Sequence, residues 1–257
     1  MPTREPPSGR RIASVTRAVR VLEALADADD DLGTNEIARR TGINASSVSR
    51  LLATLAAAEL VGQDDRTGRY RLGLRMLRFG TAVLARLDLR EVARAHLRAL
   101  TDVTGETATL SVSGGGAALT VDFVQSTASV QSVARLGRPS VAHATAVGKV
   151  MLAFTDRRMD GPLTPFTPAT ITDPTRLRDE IARIRQQGWA EAVGEREADL
   201  HAVAVPVRNA AGDLLAILGV QGPAGRLAPP QRAATVEHLL RAAKQLEATF
   251  AGQAAPA

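Results

Sequence analysis

The segment Arg40-Thr41-Gly42-Ile43-Asn44 constrains this chain more than any other. It sits between two short stretches whose apolar residues recur at helical spacing, and glycine there permits the positive φ of a tight inter-helix turn. Upstream, Thr34 is placed to cap a short helix carrying Ile37 and Ala38. Downstream, Asn44 is placed to cap a helix with a stripe of Val48, Leu51, Leu52 and Leu55, and Ser46, Ser49, Arg50 and Ala53 project on other faces. An earlier helix, capped by Ser14, is expected from Val15, Val19, Leu22 and Leu25, with the acidic run Asp29-Asp30-Asp31 ending it. From Gln63 to Leu72 the chain reads as two short strands about a turn containing Gly68, with arginine at its tip. Three helices followed by a basic hairpin form a winged helix-turn-helix, mainly α with a β wing.

That arrangement suits DNA. The third helix can enter a major groove N-terminus first, where serine hydroxyls and free backbone N–H groups meet phosphates and Arg50 reaches a phosphate or a guanine. The expected contact set is Asn44, Ala45, Ser46, Ser47, Ser49, Arg50 and Thr54 on the helix, with Arg66 and Arg69 on the wing. Charge agrees: the first 80 residues hold 13 arginines against 10 acids. Those acids are bunched at Asp27, Asp29, Asp30 and Asp31 and at Asp64 and Asp65, leaving Arg10, Arg11, Arg17, Arg20, Arg39, Arg40, Arg50, Arg66 and Arg69 to form a face.

Behind the wing, Leu74, Leu77, Thr81 and Leu84 are spaced for a linker helix, with a shared seam between two copies as one use of the stripe and packing on its own chain as the other. A helix capped by Asp88, with Val92, Leu100 and Val103 on one side, stops at Gly105. A hairpin follows, from Ala108, Leu110 and Val112 through Ser113-Gly114-Gly115-Gly116 to Leu119, Val121 and Phe123. Asp173-Pro174 opens another helix, Val203 to Val207 and Leu215 to Val220 read as a second hairpin, and a helix with Val236, Leu239, Ala243, Leu246 and Phe250 closes the domain. Mixed helices and hairpins make this second domain α+β.

Several ordered motifs resemble the IclR family of bacterial transcriptional regulators. They are Thr16 to Leu22, Glu36 to Ile43, Ser47 to Leu55 and Gly68 to Gly73 at the front, then Thr104-Gly105-Glu106-Thr107, His143 to Ala153, Gln187-Gly188-Trp189-Ala190 and Val203 to Val207. The resemblance implies a winged helix joined by a linker helix to a GAF-like effector-binding domain. The expected divisions are a disordered basic tail at 1–11, the winged helix at 12–73, the linker helix at 74–87, the sensor domain at 88–250 and a disordered tail at 251–257. It also implies self-association as a homodimer or homotetramer, which symmetry would match to palindromic half-sites of double-stranded operator DNA, and repression in preference to activation.

For the sensor, Thr145 can cap a helix whose free N–H groups favour a carboxylate, and Gly148 permits close approach. Lys149 is expected to be solvated. Period two puts Ile217, Gly219 and Gln221 on one strand face, where Gly219 leaves space and Gln221 offers a donor and an acceptor. Arg135 is a candidate counter-charge, although a surface role suits it better. The resemblance places effector contacts at Ala146, Val147, Ala202, Gly219 and Gln221. Family members often carry cysteine where Ala202 stands and small hydroxyl residues where Gly219 and Gln221 stand, so pocket polarity differs here. A small organic or aromatic acid is the expected effector.

The rival readings are a small-molecule enzyme and a ligand-independent architectural DNA-binding protein. G-x-S-x-G, H-E-x-x-H and G-x-G-x-x-G are absent, and the stretch before Lys149 lacks the first glycine of a phosphate loop. His96, His143, His201 and His238 have no paired ligand spacing, while Glu195, Glu197 and Asp199 read as an acidic loop that with His201 leaves a surface metal site open. No catalytic residue, metal site or cofactor is expected. The absence of cysteine excludes disulfide scaffolds, cysteine nucleophiles and thiolate zinc sites. With neither a signal peptide nor an apolar run long enough for a membrane span, a cytoplasmic location is expected.

Overall fold

The structure, a computed structural model, describes residues 12–84, 89–114, 116–156 and 162–253. The expected tail at 1–11 with Arg10 and Arg11, the last linker residues, the cap at Asp88, Gly115 and residues 254–257 lie outside it. The chain divides into two units, Met1–Arg86 and Leu87–Ala257.

Helices α1 (Ala13–Ala26), α2 (Thr34–Thr41) and α3 (Ala45–Ala57) open the first unit, followed by β1 (Val61–Gln63), β2 (Tyr70–Leu72) and α4 (Arg75–Leu84). Gly42 takes φ 66° and ends α2, the left-handed conformation in which a Cβ would be strained. Two expected caps move by a residue or two. Ile12, whose carbonyl accepts the Thr16 N–H, precedes α1, placing Ser14 inside the first turn. Gly33 precedes α2, so Thr34 is its first helical residue. The core comprises Val21, Leu25, Leu32, Ile37, Ile43, Val48, Leu52, Leu55 and Val61, with Leu51 only partly buried beside it. Val15 and Val19, assigned to the buried stripe of α1, are instead 57% and 46% exposed, in a second apolar row with Ile12 at 67%. The burial of α1 is set by Val21 and Leu25, on the other side of the helix, because a rotation of about 100° per residue carries Val21 about 200° round from Val19. Helix α1 ends at Ala26 with Asp27 as its cap, ahead of the acidic run expected to end it, and beyond that run Leu32 bridges Tyr70 through two backbone hydrogen bonds, adding a third strand position to the wing.

The second unit runs α5 (Leu89–Thr104), β3 (Thr107–Gly114), β4 (Ala117–Val124), α6 (Ala146–Phe154), α7 (Pro174–Gln187), β5 (Ala190–Val193), β6 (Leu200–Arg208), β7 (Leu214–Pro223) and α8 (Pro229–Gln253). The two expected hairpins are halves of one antiparallel sheet in the order β4-β3-β7-β6-β5. Strand β5 has no counterpart in the expected pattern, because its inward residues Ala190 and Ala192 carry little strand signal. Helix α8 continues through Gln253, past the expected end at Phe250. In α5 the buried stripe is Ala93, Leu97, Leu100 and Thr101, and Val103, expected on that side, is 54% exposed.

Cross-strand register fixes the two faces of the sheet. Thr109 pairs with Gly219 and Gly219 with Ala204, while Ala202 pairs with both Ala192 and Gln221, so these residues share one face. Helices α6 and α7 pack on this side through Ala146, Val150, Met151, Ile181 and Ile184 against Ala190, Ala192, Ala204 and Ile217. Helices α5 and α8 pack against β3, β4, β6 and β7 and against each other. The alternate residues of the strands, such as Leu110, Val205 and Leu218, are fully buried on that second face.

Candidate functional site

Two separate sites emerge, one in each unit. In the first, Asn44 caps α3: its Oδ1 accepts the Ser47 N–H at 2.8 Å and the Ser46 hydroxyl at 2.9 Å. The N–H groups of Ala45 and Ser46 therefore remain in the part of the first turn that has no intrahelical partner. The Ser46 hydroxyl has already committed its proton to Asn44, and the Thr54 hydroxyl donates to the Arg50 carbonyl at 3.0 Å. Ser49 and Arg50 are exposed, and no hydrogen bond or ion pair engages their side chains among the described residues.

The wing turn is organised by a residue that charge counting treated only as an acid. Asp64 Oδ1 accepts the Arg66 N–H at 2.8 Å and the Thr67 N–H at 3.0 Å. The Thr67 N–H, followed by that of Arg66, holds the Asp64 carboxyl below its ordinary value. This fixes the tip that presents Arg66. Arg69 differs from the sequence reading: its guanidinium donates to the Asp31 carbonyl at 2.6 Å and lies 3.9 Å from Glu36, so it braces the wing. Arg40 pairs with Glu36 at 2.8 Å, Arg20 donates to the Thr41 carbonyl, and Arg17 donates to the Ala13 carbonyl. Of the arginines assigned to a basic face, Arg39, Arg50 and Arg66 have side chains without a partner among the described residues.

In the second unit a cavity of about 520 Å³ lies over the α6 side of the sheet. Its floor includes Thr109, Thr120, Ala192, Ala202, Gly219 and Gln221. Its walls include Thr145, Ala146 and Val147, the segment from Val130 to Val141, and the β5–β6 loop with Arg196, Glu197 and Asp199. Of the residues expected to meet an effector, Arg135, Thr145, Ala146, Val147, Ala202, Gly219 and Gln221 all line it. The Gln221 amide donates to the Ser132 hydroxyl at 2.8 Å, tying the wall to the floor.

Gly148 does not line the cavity. A Cβ there would stand 2.6 Å from the Ala142 Cα and 2.7 Å from its carbonyl oxygen, so this glycine seats α6 against the preceding backbone. Gly219 acts similarly: a Cβ would meet the Thr109 hydroxyl at 2.9 Å and Val147 at 3.1 Å, so the space it leaves is taken by those groups. Thr145 does cap α6, its hydroxyl accepting the Gly148 N–H at 3.1 Å and donating to the Val141 carbonyl at 2.9 Å.

Lys149 is not solvated. It is 1% exposed, with Nζ 2.7 Å from Glu195 and 3.5 Å from Glu180. Helix α6 is buried on nearly every side, from Gly148 to Ala153, so it leaves no face to solvent and Glu195 supplies the counter-charge. The expected acidic loop is split accordingly: Glu195 is buried under Lys149, while Glu197 and Asp199 stay exposed. His201 Nδ1 meets the Leu227 carbonyl at 2.9 Å. Among the described residues no group of three His, Asp or Glu side chains could hold a metal ion. Thr109, Thr120, Ser132 and Arg196 went unnoticed as cavity residues, because only strand register and loop packing bring them to one place.

No helix of the described residues is long and apolar enough to cross a membrane. The model of the IclR helix-turn-helix domain matches residues 14–65, and that of the bacterial transcriptional regulator IclR C-terminal domain matches residues 81–248. The chain is 33% identical over 241 residues to the HTH-type transcriptional regulator BhcR of Paracoccus denitrificans, covering 91% of this chain and 86% of that protein. Its fold is similar to a solved IclR-type regulator from Silicibacter sp. TM1040, with TM-score 0.82, 29% identity and coverage of 93% and 96% of the two chains. An IclR homolog from Microbacterium hydrocarbonoxydans, solved in complex with 4-hydroxybenzoate, matches with TM-score 0.74 and 27% identity over 92% of this chain and 98% of that one. These relatives are regulators, which sets aside the enzyme reading. The chain belongs to the IclR family of bacterial transcriptional regulators, with an N-terminal helix-turn-helix domain that binds DNA and a C-terminal effector domain.

Proposed function

We infer that this regulator reads double-stranded operator DNA with α3 in the major groove and the wing on the flanking backbone, and that a small organic or aromatic acid in the sensor cavity controls it. The capped N-terminal turn of α3 carries the first half of this reading: Asn44, Ala45, Ser46, Ser47, Ser49 and Arg50 lie together on one exposed end, with Thr54 one turn further along. Arg66 extends the same electrostatic footprint. Arg69 takes part by holding the wing in place.

A cavity of about 520 Å³ falls within the range of ligand pockets and supports an effector-controlled protein over a purely architectural one. The start of α6 at its wall, over a floor where Ala192, Ala202 and Gly219 sit beside Thr109, Thr120 and Gln221, suits a carboxylate on a small carbon frame that carries a polar group. The exposed rows Ile12, Val15 and Val19 on α1 and Leu74 and Leu77 at α4 support self-association as a homodimer, or as a tetramer built from two dimers. Such a pair works in the cytoplasm on palindromic half-sites, and repression is the sign carried by family resemblance. Control requires that the acid bind the two spacings of the DNA-binding domains with different affinity.

A gel-shift titration against DNA upstream of the protein's own gene, at two salt concentrations and with unrelated competitor DNA, tests this. A specific, salt-sensitive complex that an added acid shifts is expected. A complex that competitor DNA removes equally well at both salts would refute operator reading.

A further inference from the structure

We propose that Arg196 is the side chain that receives the effector's carboxylate, a specificity determinant that rests on the effector reading of the cavity. Three arginines line this space: Arg135, Arg138 and Arg196. Arg135 and Arg138 are exposed on the segment that forms the outer wall. Arg196 is partly buried, with its guanidinium carbon 4.1 Å from the centroid of the Phe166 ring. The ring in turn lies 5.9 Å from that of His143, whose Nε2 meets the Thr164 carbonyl at 2.9 Å. Stacking occupies only the face of a guanidinium. Its N–H groups lie in the plane and stay available for a two-pronged hydrogen bond to a carboxylate.

The loop beneath Arg196 is held from both sides. The Thr170 hydroxyl donates to the Glu195 carbonyl at 2.6 Å and the Thr167 hydroxyl donates to the Gly194 carbonyl at 2.6 Å. Below, Lys149 holds the Glu195 carboxylate at 2.7 Å. An arginine so fixed loses little freedom when it binds an anion. No carboxylate pairs with Arg196 among the described residues, although Glu195 and Glu197 adjoin it in the chain: the first is committed to Lys149, and the second is exposed at the rim. Partial burial strengthens its attraction for an anion relative to the exposed Arg135 and Arg138.

The test uses the full-length protein and five probes: glycolate, pyruvate, gluconate, benzoate and 4-hydroxybenzoate, each titrated by calorimetry. At least one binds the wild type, and Arg196→Gln weakens that probe by about tenfold or more, as expected for the loss of a charge-assisted hydrogen bond. Arg196→Lys retains part of the affinity, while Arg135→Gln and Arg138→Gln each change it by less than about threefold, as screened surface charges do. An unchanged melting temperature for Arg196→Gln separates lost binding from lost folding. If Arg196→Gln binds the probe as the wild type does, the assignment of Arg196 is overturned and the effector reading stands. If no probe binds the wild type at millimolar concentration, both fall together.

Discussion

Replacing Lys149 with methionine keeps most of the four-carbon stem and removes the charge. In the folded protein Lys149 is 1% exposed and Glu195 has a side-chain exposure of 10%, with Nζ to Oε1 at 2.7 Å. The other Glu195 oxygen is buried and already lacks a hydrogen-bond partner. Glu180 keeps a partner after the substitution, because Arg183 donates to both of its oxygens. Lys149→Met therefore strands one buried carboxylate, which costs about 3–5 kcal/mol. For a unit of this size each kcal/mol lowers the melting temperature by about 2–4 °C, so the expected drop is about 6–20 °C. Replacing both partners, as in Lys149→Met with Glu195→Leu, removes the stranded charge and brings stability back to within about 2 kcal/mol of wild type. Trp189, the only tryptophan, lies in the same unit with the Arg183 guanidinium 5.9 Å from its ring, so denaturant unfolding followed by its fluorescence reads the effect locally. A single variant within about 1 kcal/mol of wild type, or a double variant no better than the single, would refute the claim that the pair is a buried, mutually dependent unit.

Asn44→Ala removes the side-chain cap of α3 and is expected to cost about 1 kcal/mol of first-unit stability in denaturant titrations. Gly148→Ala drives a methyl group into the Ala142 backbone and is expected to destabilise the second unit by about 1–3 kcal/mol while leaving the first unchanged, seen by calorimetry. Arg69→Ala is expected to loosen the wing, measured as faster amide exchange at Leu32 and Tyr70, whose backbone groups bond each other beside it. The Asp64 carboxyl is held low by the Thr67 and Arg66 N–H groups. Its contribution to the wing is therefore present above the ordinary carboxylate value and lost as pH falls through the lowered one. Asp64→Asn should flatten that part of the acid limb in a pH titration of wing exchange.

The winged helix was legible because its signals are local. A glycine at the turn, an asparagine cap and a stripe at 3.6-residue spacing lie within a few residues of one another, and each appears in the structure at α2 and α3. What sequence periodicity did not resolve was which apolar row of α1 turns inward, since Val15 and Val19 have the same spacing as buried residues. The sensor domain was legible as strands and helices but not as one sheet. The β3–β7 pairing joins Thr109 to Gly219 across more than a hundred residues, and no local pattern announces such a contact. The cavity shows the same division. Thr145 declared itself as a cap, whereas Arg196 reached the cavity through a loop clamped by Thr167 and Thr170, and Lys149 reached the core because α6 is buried all round and the distant Glu195 meets its charge.

If α3 reads DNA through its exposed N-terminal end, a salt titration of Arg50→Ala will register the loss of that contact. Fluorescence anisotropy on an operator fragment, run with wild type and variant across a range of salt, measures both affinity and the slope of log affinity against log salt. Arg50→Ala is expected to lose about tenfold or more of operator affinity at fixed salt, with either a slope smaller by about one ion for a phosphate contact or an unchanged slope and lost discrimination for a guanine contact. Equal operator affinity and equal slope for the two proteins, with both folded, would contradict the placement of α3 in the groove.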